Sequence, residues 1–173
     1  MQIALPKPDE LNDYYKGYLK YISEDDLLSV LKTQIEETSM FLRNISDENS
    51  GNAYEPGKWQ IKEVVGHLSD TERILSYRAL RFARKDETPL AGFDEDHFVE
   101  NANFKSRSWE SIVDEKKAVR QSSIHFFNSL HPGAFDFKGI AKGNVLSVRA
   151  LLFFIIAHER HHLQVIKERY LKI

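Results

Sequence analysis

Two histidines four residues apart, His158 and His162, have the spacing in this chain that most directly suggests chemistry. On a helix they differ by only about 40° in direction and by roughly 6 Å along the axis, so both imidazoles point the same way. Leu151, Phe154 and Ile155 recur on the same helical face. Imidazoles on a core-facing stripe are desolvated unless something binds them, and the pair therefore suggests a metal site.

A third histidine, His67, lies at the border of the apolar stripe of another predicted helix. Three histidine ligands leave positions on a divalent ion open for water or substrate. The chain contains no cysteine, so a transition metal must be held by His, Asp or Glu, and a cysteine nucleophile is excluded. We therefore predict that His67, His158 and His162 bind one metal ion.

The string His158-Glu-Arg-His-His162 also fits the H-E-x-x-H pattern of zinc proteases, in which the glutamate is the general base. However, no strand is predicted that could hold a peptide substrate. Glu159 and His161 each project about 100° away from the neighbouring ligand, so we expect surface pairing for Glu159 and a surface or pocket-rim position for His161. The other histidines have no partner at ligand spacing, and we expect solvent-facing or capping roles for His97, His125 and His131.

The composition is typical of a globular protein, with 42% hydrophobic and 29% charged residues. A length of 173 residues fits one domain, which we predict to span residues 1–173. The formal net charge of -2 offers no long-range attraction to nucleic acid or to an anionic membrane. The N-terminus does not resemble a signal peptide, and the longest apolar run is far shorter than the roughly 20 residues of a membrane span. We therefore expect a cytoplasmic protein without nucleic-acid or membrane partners.

Four long segments repeat apolar residues at three- and four-residue steps, which predicts helices. Their predicted ranges are about 25–45, 59–84, 108–131 and 147–170. Four helices of this length in one chain favour an all-α four-helix bundle. The connecting segments are predicted to be an irregular lead-in over 9–22, a loop over 47–58 and a turn-rich stretch over 134–144, with no strand.

The connection from Lys85 to Arg107 is long for a loop within a bundle, and loops of this length are usually functional or make a crossover. A crossover would allow the second and third helices to run parallel. We predict that residues Thr88 to Phe98 of this connection pack over one end of the bundle with Phe93 or Phe98 buried. We also predict that Asp94 lies nearer the metal cavity than Glu95.

Arg78 is a candidate for substrate binding on the second helix. It follows His67 by eleven residues, which places it only about 20° away from the same direction. Its guanidinium could therefore overlook the metal pocket and pair with an anionic group of a substrate. The alternative is a solvated helix face, which we expect for Arg73 and Arg81.

Four segments of the sequence, in this order, closely resemble the DinB/YfiT-like superfamily over nearly the whole chain after about residue 23. They are PGKWQIKEVVGHLSDTER at 56–73, TPLAGFDED at 88–96, SVRA at 147–150 and HERHH at 158–162. The resemblance implies a four-helix bundle with a crossover between the second and third helices. It also implies one divalent metal ion, nickel or zinc with iron and manganese as alternatives, on His67, His158 and His162.

Members of that superfamily include S-transferases that use bacillithiol or mycothiol, and others are described as metal-dependent hydrolases. The resemblance implies an enzyme whose three-histidine centre activates a bound thiol or water, and we expect a bacillithiol-like thiol S-transferase. A metal-dependent hydrolase and a non-catalytic, metal-stabilised stress or interaction protein are the alternatives, because a shared fold does not decide function. We expect a small-molecule substrate, such as a low-molecular-weight thiol, and the resemblance makes a homodimer plausible.

Overall fold

Four long helices carry the fold in the computed structural model, which describes residues 1–173. In chain order the helices are α1 (Asp13–Lys16), α2 (Leu27–Arg43), α3 (Asp47–Ser50), α4 (Ile61–Ala83), α5 (Glu95–Asn101), α6 (Trp109–Asn128) and α7 (Val148–Val165). Short 3-10 turns lie at Pro8–Glu10, Leu19–Tyr21, Phe104–Ser106 and Pro132–Asp136, and a π-helical turn, Ile166–Leu171, extends α7. Helices α2, α4, α6 and α7 form the predicted four-helix bundle.

The long helices begin where the sequence supplies N-caps. The side chains of Asp26, Ser108 and Ser147 each accept a hydrogen bond from a backbone N–H in the first turn of α2, α6 and α7. At the start of α4, the Glu63 carboxylate accepts a hydrogen bond from the backbone N–H of Gln60 at 2.8 Å. These caps explain why all four helices begin within about two residues of their predicted starts.

Helices α4 and α6 run parallel, as the long crossover predicted. Successive contacts join residues whose numbers rise together: Lys62 with Arg107, Arg73 with Glu115, and Ser76 with Ser123. Helix α2 runs antiparallel to α6, because Arg43 pairs with Asp114 while Glu36, two turns earlier, pairs with Lys117. The crossover therefore returns the chain to the starting end of α4 before α6 begins.

Helix α7 is the most buried element of the bundle. Every residue from Ala150 to Glu159 is buried, which is typical of a helix surrounded by others. One apolar cluster surrounds the first half of α7 and includes Phe82 and Phe127, and a second, which includes Ile112, lies near the other end of the bundle. None of the helices is both long and apolar enough to cross a membrane.

A β-hairpin precedes α7, so the prediction of no strands was wrong. Strands β1 (Lys138–Ala141) and β2 (Asn144–Ser147) pair antiparallel through the two-residue turn Lys142-Gly143, in which both residues have positive φ. Gly139 allows β1 to lie on α4, since a Cβ at this position would be 2.1 Å from the Phe82 ring. Each strand has only four residues, too few for alternation to stand out in the sequence.

The connecting segments contain two further departures from prediction. Phe93 is only half-buried and Phe98 is 40% exposed, so the prediction that either ring anchors the crossover was wrong. Val99 of α5 and Phe104 are the buried anchors, and Phe104 packs so closely on Gly66 that a Cβ there would be 2.4 Å from its ring. The segment 47–58 begins with the one-turn helix α3 and is otherwise a loop, as predicted.

Candidate metal centre

Helices α4 and α7 bring His67, His158 and His162 together. The Nε2 atom of His158 lies 3.4 Å from Nε2 of His67 and 3.1 Å from Nε2 of His162. One candidate ligand atom from each residue lies within 4.8 Å of the other two. Nitrogens bound tetrahedrally to one ion at 2.0–2.1 Å would be about 3.4 Å apart, so the observed spacing suits a single shared ion.

The chemistry of these three nitrogens also fits a cation. An imidazole nitrogen carries either one proton or one lone pair in the ring plane, so Nε2 of His158 can hydrogen-bond with only one of its two close neighbours. The other contact then lacks a hydrogen bond inside the protein. An ion between the nitrogens would accept all three lone pairs and remove this conflict.

Neighbouring rings hold the imidazoles in place. The Trp59 ring, just before α4, lies 4.9 Å from the His67 ring, and Phe154, one turn before His158, lies 5.1 Å from the His158 ring. The Thr71 hydroxyl approaches Nδ1 of His67 at 3.5 Å, which leaves Nε2 directed toward His158. The centre is therefore packed on its apolar side by aromatic groups, not by acidic residues.

Burial keeps these histidines neutral at physiological pH. Desolvation lowers the pKa of His67 to about 4 and, together with the charges of His67 and His161, the pKa of His162 to about 3. Desolvation and the neighbouring histidines lower the pKa of His158 well below its ordinary value. Neutral imidazoles are the form that binds a metal ion, so the site is ready for a metal without first losing protons.

The same pKa shifts predict acid sensitivity of the metal-free protein. The unfolded chain takes up protons on these histidines near pH 6.5, whereas the folded His67 resists protonation down to about pH 4. Stability should therefore be complete above about pH 6.5 and fall as the pH drops toward 4, by about 2–3 kcal/mol for His67 alone. Urea unfolding with a chelator present, at pH 7, 6 and 5, measures this loss.

The matched comparison uses one buried and one exposed histidine. His67→Gln should flatten the dependence of unfolding free energy on pH, because it removes one proton-binding group from the unfolded chain. His125→Gln makes the same substitution at an exposed position on α6 and is the control. Equal pH dependence in wild type and His67→Gln would contradict the prediction.

All three histidines line an open cavity of about 710 Å³. Its walls come from the N-terminal segment, α4, the crossover, the hairpin and α7. Six aromatic side chains contribute to these walls: Tyr14, Tyr15, Tyr18, Trp59, Phe93 and Phe154. A cavity of this size, lined by both apolar and polar side chains, is typical of sites for small molecules.

Arg78 lines this cavity together with the three histidines. It is buried, and its Nη2 donates a hydrogen bond to the Ala91 carbonyl at 2.8 Å, which holds the crossover to α4. In contrast, Arg73 and Arg81 are partly exposed and pair with acidic residues, as expected for a solvated face. Arg78 therefore lies on the cavity side of α4, as its helical angle relative to His67 predicted.

The prediction that Asp94 lies nearer the cavity than Glu95 was wrong. The Asp94 carboxylate caps α5 by accepting a hydrogen bond from the His97 N–H at 3.0 Å. Glu95, the first residue of α5, lines the cavity instead. An aspartate directly before a helix is a preferred N-cap, and this role turns its side chain away from the cavity.

The prediction of surface pairing for Glu159 was also wrong, because only 2% of this residue is exposed. Its carboxylate accepts hydrogen bonds from Arg120 at 2.9 Å, Thr38 at 2.8 Å and Gln34 at 2.7 Å. These partners lie on α2 and α6, away from the three histidines. Glu159 therefore takes part in a buried polar network that also contains Glu72 and Lys116, and it does not act as the glutamate of a zinc protease.

His161 lies at the rim of the cavity, where its Nδ1 is 2.7 Å from the Tyr21 hydroxyl. The remaining histidines are exposed, as expected for His97, His125 and His131. Sequence reasoning missed the wall formed by Tyr15 and Tyr18. The concentration of aromatic residues in the lead-in was the feature that could have indicated it, since aromatic side chains bury large areas in cores and interfaces.

Comparisons with known proteins give consistent results for sequence and fold. The family described as the DinB superfamily matches residues 31–166. "Putative metal-dependent hydrolase OB0413" of Oceanobacillus iheyensis is 22% identical over 142 residues, which cover 81% of this chain and 81% of that protein. "Putative metal-dependent hydrolase YfiT" of Bacillus subtilis is 24% identical over 109 residues, which cover 62% of this chain and 54% of that protein.

A solved structure has the same fold. It is that of YfiT from Bacillus subtilis, described as a probable metal-dependent hydrolase with an unusual four-helix bundle topology. The TM-score is 0.74 at 16% sequence identity, and the match covers 95% of this chain and 91% of that one. At this level of identity the similarity establishes the bundle and its topology.

Proposed function

This chain belongs to the DinB superfamily, and on that basis we propose that it is a metal-dependent enzyme, a hydrolase that acts on a small molecule. In this proposal His67, His158 and His162 hold one divalent ion. The observation that carries the proposal is the convergence of three Nε2 atoms, from the buried His67 and His158 and the half-buried His162, on one wall of an open cavity. The descriptions of the Oceanobacillus and Bacillus relatives favour hydrolysis among the possible reactions.

The ion would supply a nucleophile at neutral pH by lowering the pKa of a water or thiol that it binds. The residues of this chain perform the remaining tasks. The three imidazoles supply neutral nitrogen ligands, and the aromatic walls bind the apolar part of a substrate. Imidazole ligands suit zinc, nickel and iron. The resemblance to the DinB/YfiT-like superfamily implies nickel or zinc, with iron and manganese as alternatives.

The open cavity argues against a purely structural role for the ion. A non-catalytic, metal-stabilised protein would be favoured by a closed site with no space beside the ligands. Here all three histidines border a cavity of about 710 Å³. Substrate could therefore approach the remaining coordination positions of the ion.

A second candidate function is the transfer of a bacillithiol-like, low-molecular-weight thiol to an electrophile. The size of the cavity favours it, because such a reaction must accommodate a thiol and an electrophile together. The same three histidines would hold the ion that activates the thiol. The two candidates differ in the nucleophile and not in the ligands.

Metal analysis followed by two assays tests the proposal. The purified protein should contain about one divalent ion per chain and hydrolyse 4-nitrophenyl esters in a chelator-sensitive manner. Conjugation of a low-molecular-weight thiol to monochlorobimane tests the second candidate on the same sample. Hydrolysis without conjugation supports the first function and conjugation without hydrolysis the second, whereas absence of bound metal refutes both.

A further inference from the structure

Four cationic side chains are buried in this protein, and three of them have carboxylate partners. Lys62 pairs with Asp47 at 3.3 Å, and Lys116 and Arg120 both pair with Glu72 and Glu159. Arg78 is the fourth, with 6% of its surface exposed and no carboxylate within 4.0 Å. A buried charge without a partner is costly, so its presence requires an explanation.

The pKa values of the two buried arginines, Arg120 and Arg78, reflect the presence of carboxylate partners for the first and their absence for the second. Although burial alone would lower the pKa of Arg120, the charges of Glu159 and Glu72 raise it above its ordinary value. Burial lowers the pKa of Arg78, which no carboxylate compensates. Arginine nonetheless stays charged in proteins, so Arg78 presents an unneutralised cation to the cavity.

The hydrogen bond from Arg78 to Ala91, together with the Phe93 ring whose centroid lies 5.9 Å from Cζ of Arg78, accounts for only part of the guanidinium. A guanidinium has five N–H donors in a fork that matches a carboxylate, and Nη2 uses one of them. The acidic residues on the cavity wall do not neutralise it, since Asp13 is solvent-exposed and bound by Lys16, and no ion pair joins Arg78 to Glu95. The cavity can therefore supply an anion-binding group that is not already occupied.

The position of Arg78 also sets the length of a ligand. Arg78 and His67 are eleven residues apart on α4, or roughly 16 Å along the helix axis. The arginine side chain leans toward the helix N-terminus and so shortens this distance. The guanidinium and the imidazoles are therefore separated by a distance on the order of 10 Å. Thr71 and Leu75 lie between them on α4, and Phe154 and Tyr15 also line the cavity. This stretch suits the apolar or aromatic body of a ligand.

We propose that Arg78 binds an anionic end group of the substrate. The substrate class is an elongated molecule with a carboxylate or similar anion at one end, an apolar or aromatic body, and its reactive group at the three histidines. Only the placement of the reactive group at the three histidines rests on the proposed function. The pairing of Arg78 with an anion rests on its burial, its free donors and the missing carboxylate partner.

The test compares binding of 4-phenylbutyrate with that of its neutral amide, 4-phenylbutanamide, by isothermal titration calorimetry at low ionic strength. The full-length protein is used as purified and again after treatment with a chelator. Wild type should bind the acid at least tenfold more tightly than the amide in both samples. Arg78→Met should bind the two ligands equally, because only the acid loses a partner.

Arg84→Met is the matched control, since it removes an arginine from the same helix end at an exposed position away from the cavity. This variant should keep the full preference for the acid. Arg78→Lys keeps the charge but loses the fork, and should reduce the preference at least threefold; this variant decides the matter if Arg78→Met does not fold. Circular dichroism establishes which variants are folded.

Several results would overturn the assignment. One is that the wild type fails to bind the acid, or binds the acid no more tightly than the amide. Another is that Arg78→Met retains the preference for the acid. A third is that the chelator abolishes the preference of the wild type. The outcome is independent of the proposed function. A protein without metal but with an Arg78-dependent preference would refute the enzyme and keep the anion site, whereas a metal-dependent hydrolase without that preference would refute only the anion site.

Discussion

The His162→Ala variant is expected to lose its bound metal and its metal-dependent activity while remaining a folded, helical protein. Loss of one of three ligands removes a third of the donor set, and the remaining two nitrogens hold an ion much less tightly. The fold should survive because α2, α4, α6 and α7 bury many aliphatic and aromatic side chains, each worth about 1.5–3 kcal/mol. Metal analysis, circular dichroism and the hydrolysis assay measure the three outcomes.

The neighbouring histidine provides the control. His161→Ala removes an imidazole from the cavity rim without touching the converging Nε2 atoms, so this variant should keep its metal. A chelator should lower the melting temperature of wild type and of His161→Ala but not that of His162→Ala, because a ligand that binds only the folded state stabilises it. An unfolded His162→Ala variant would show that the ion is structural, and a variant that keeps its metal would show that the ligands are misassigned.

The Glu159→Gln variant is expected to be destabilised by about 3–5 kcal/mol, the usual cost of removing one partner of a buried ion pair. Burial alone would raise the pKa of Glu159, but Arg120 and Lys116 outweigh it and hold the pKa below its ordinary value. The carboxylate is therefore charged, and the amide would leave these two cations with Glu72 as their only acidic partner. Urea unfolding at pH 7 measures the loss.

A surface ion pair that also involves α6 is the matched control. Glu36 on α2 pairs with Lys117 on α6 at 3.1 Å, and the Glu36 carboxylate is 65% exposed. Glu36→Gln should change the unfolding free energy by less than about 1 kcal/mol, as is usual for exposed pairs. A similarly small effect of Glu159→Gln would show that the buried network does not stabilise the fold.

Helical periodicity explains why the bundle and the candidate ligands could be predicted from the sequence. Apolar residues at three- and four-residue steps specify which face of a helix is buried, and His67, His158 and His162 lie on or beside such faces. The same angular reasoning placed Arg78 on the cavity side of α4. In each case the information is local, because one helix determines the direction of its own side chains.

The features that could not be predicted depend on contacts between distant segments. Glu159 is buried because Arg120 on α6 neutralises it. This partner is 39 residues away, so the pattern of apolar and polar residues around Glu159 does not indicate it. A charged residue is assigned to the surface by default. The uninterrupted apolar run that precedes it was nevertheless a usable indication, since a helix that is apolar on all sides is buried on all sides.

The hairpin and the crossover could not be predicted from the sequence for a different reason. Leu90 pairs with both Ile140 and Lys142 through backbone hydrogen bonds of 2.9 and 3.0 Å, so β1 and the crossover support each other. Neither segment has an extended pattern of its own. Their conformations are set by this contact and by the close approach of Gly139 to Phe82.

The cavity combines walls from two kinds of chain segment, and this division suggests a strategy for protein engineering. The three histidines project from long bundle helices, whereas Tyr15, Tyr18, Phe93 and Lys142 belong to the lead-in, the crossover and the hairpin turn. Phe93 and Lys142 lie outside the buried core and can be exchanged without repacking the helices that carry the histidines, whereas Tyr15 is buried and stacks on Phe154 of α7 at 4.1 Å. A combinatorial library confined to positions outside the core should therefore change which molecules the protein accepts while preserving its ability to bind an ion.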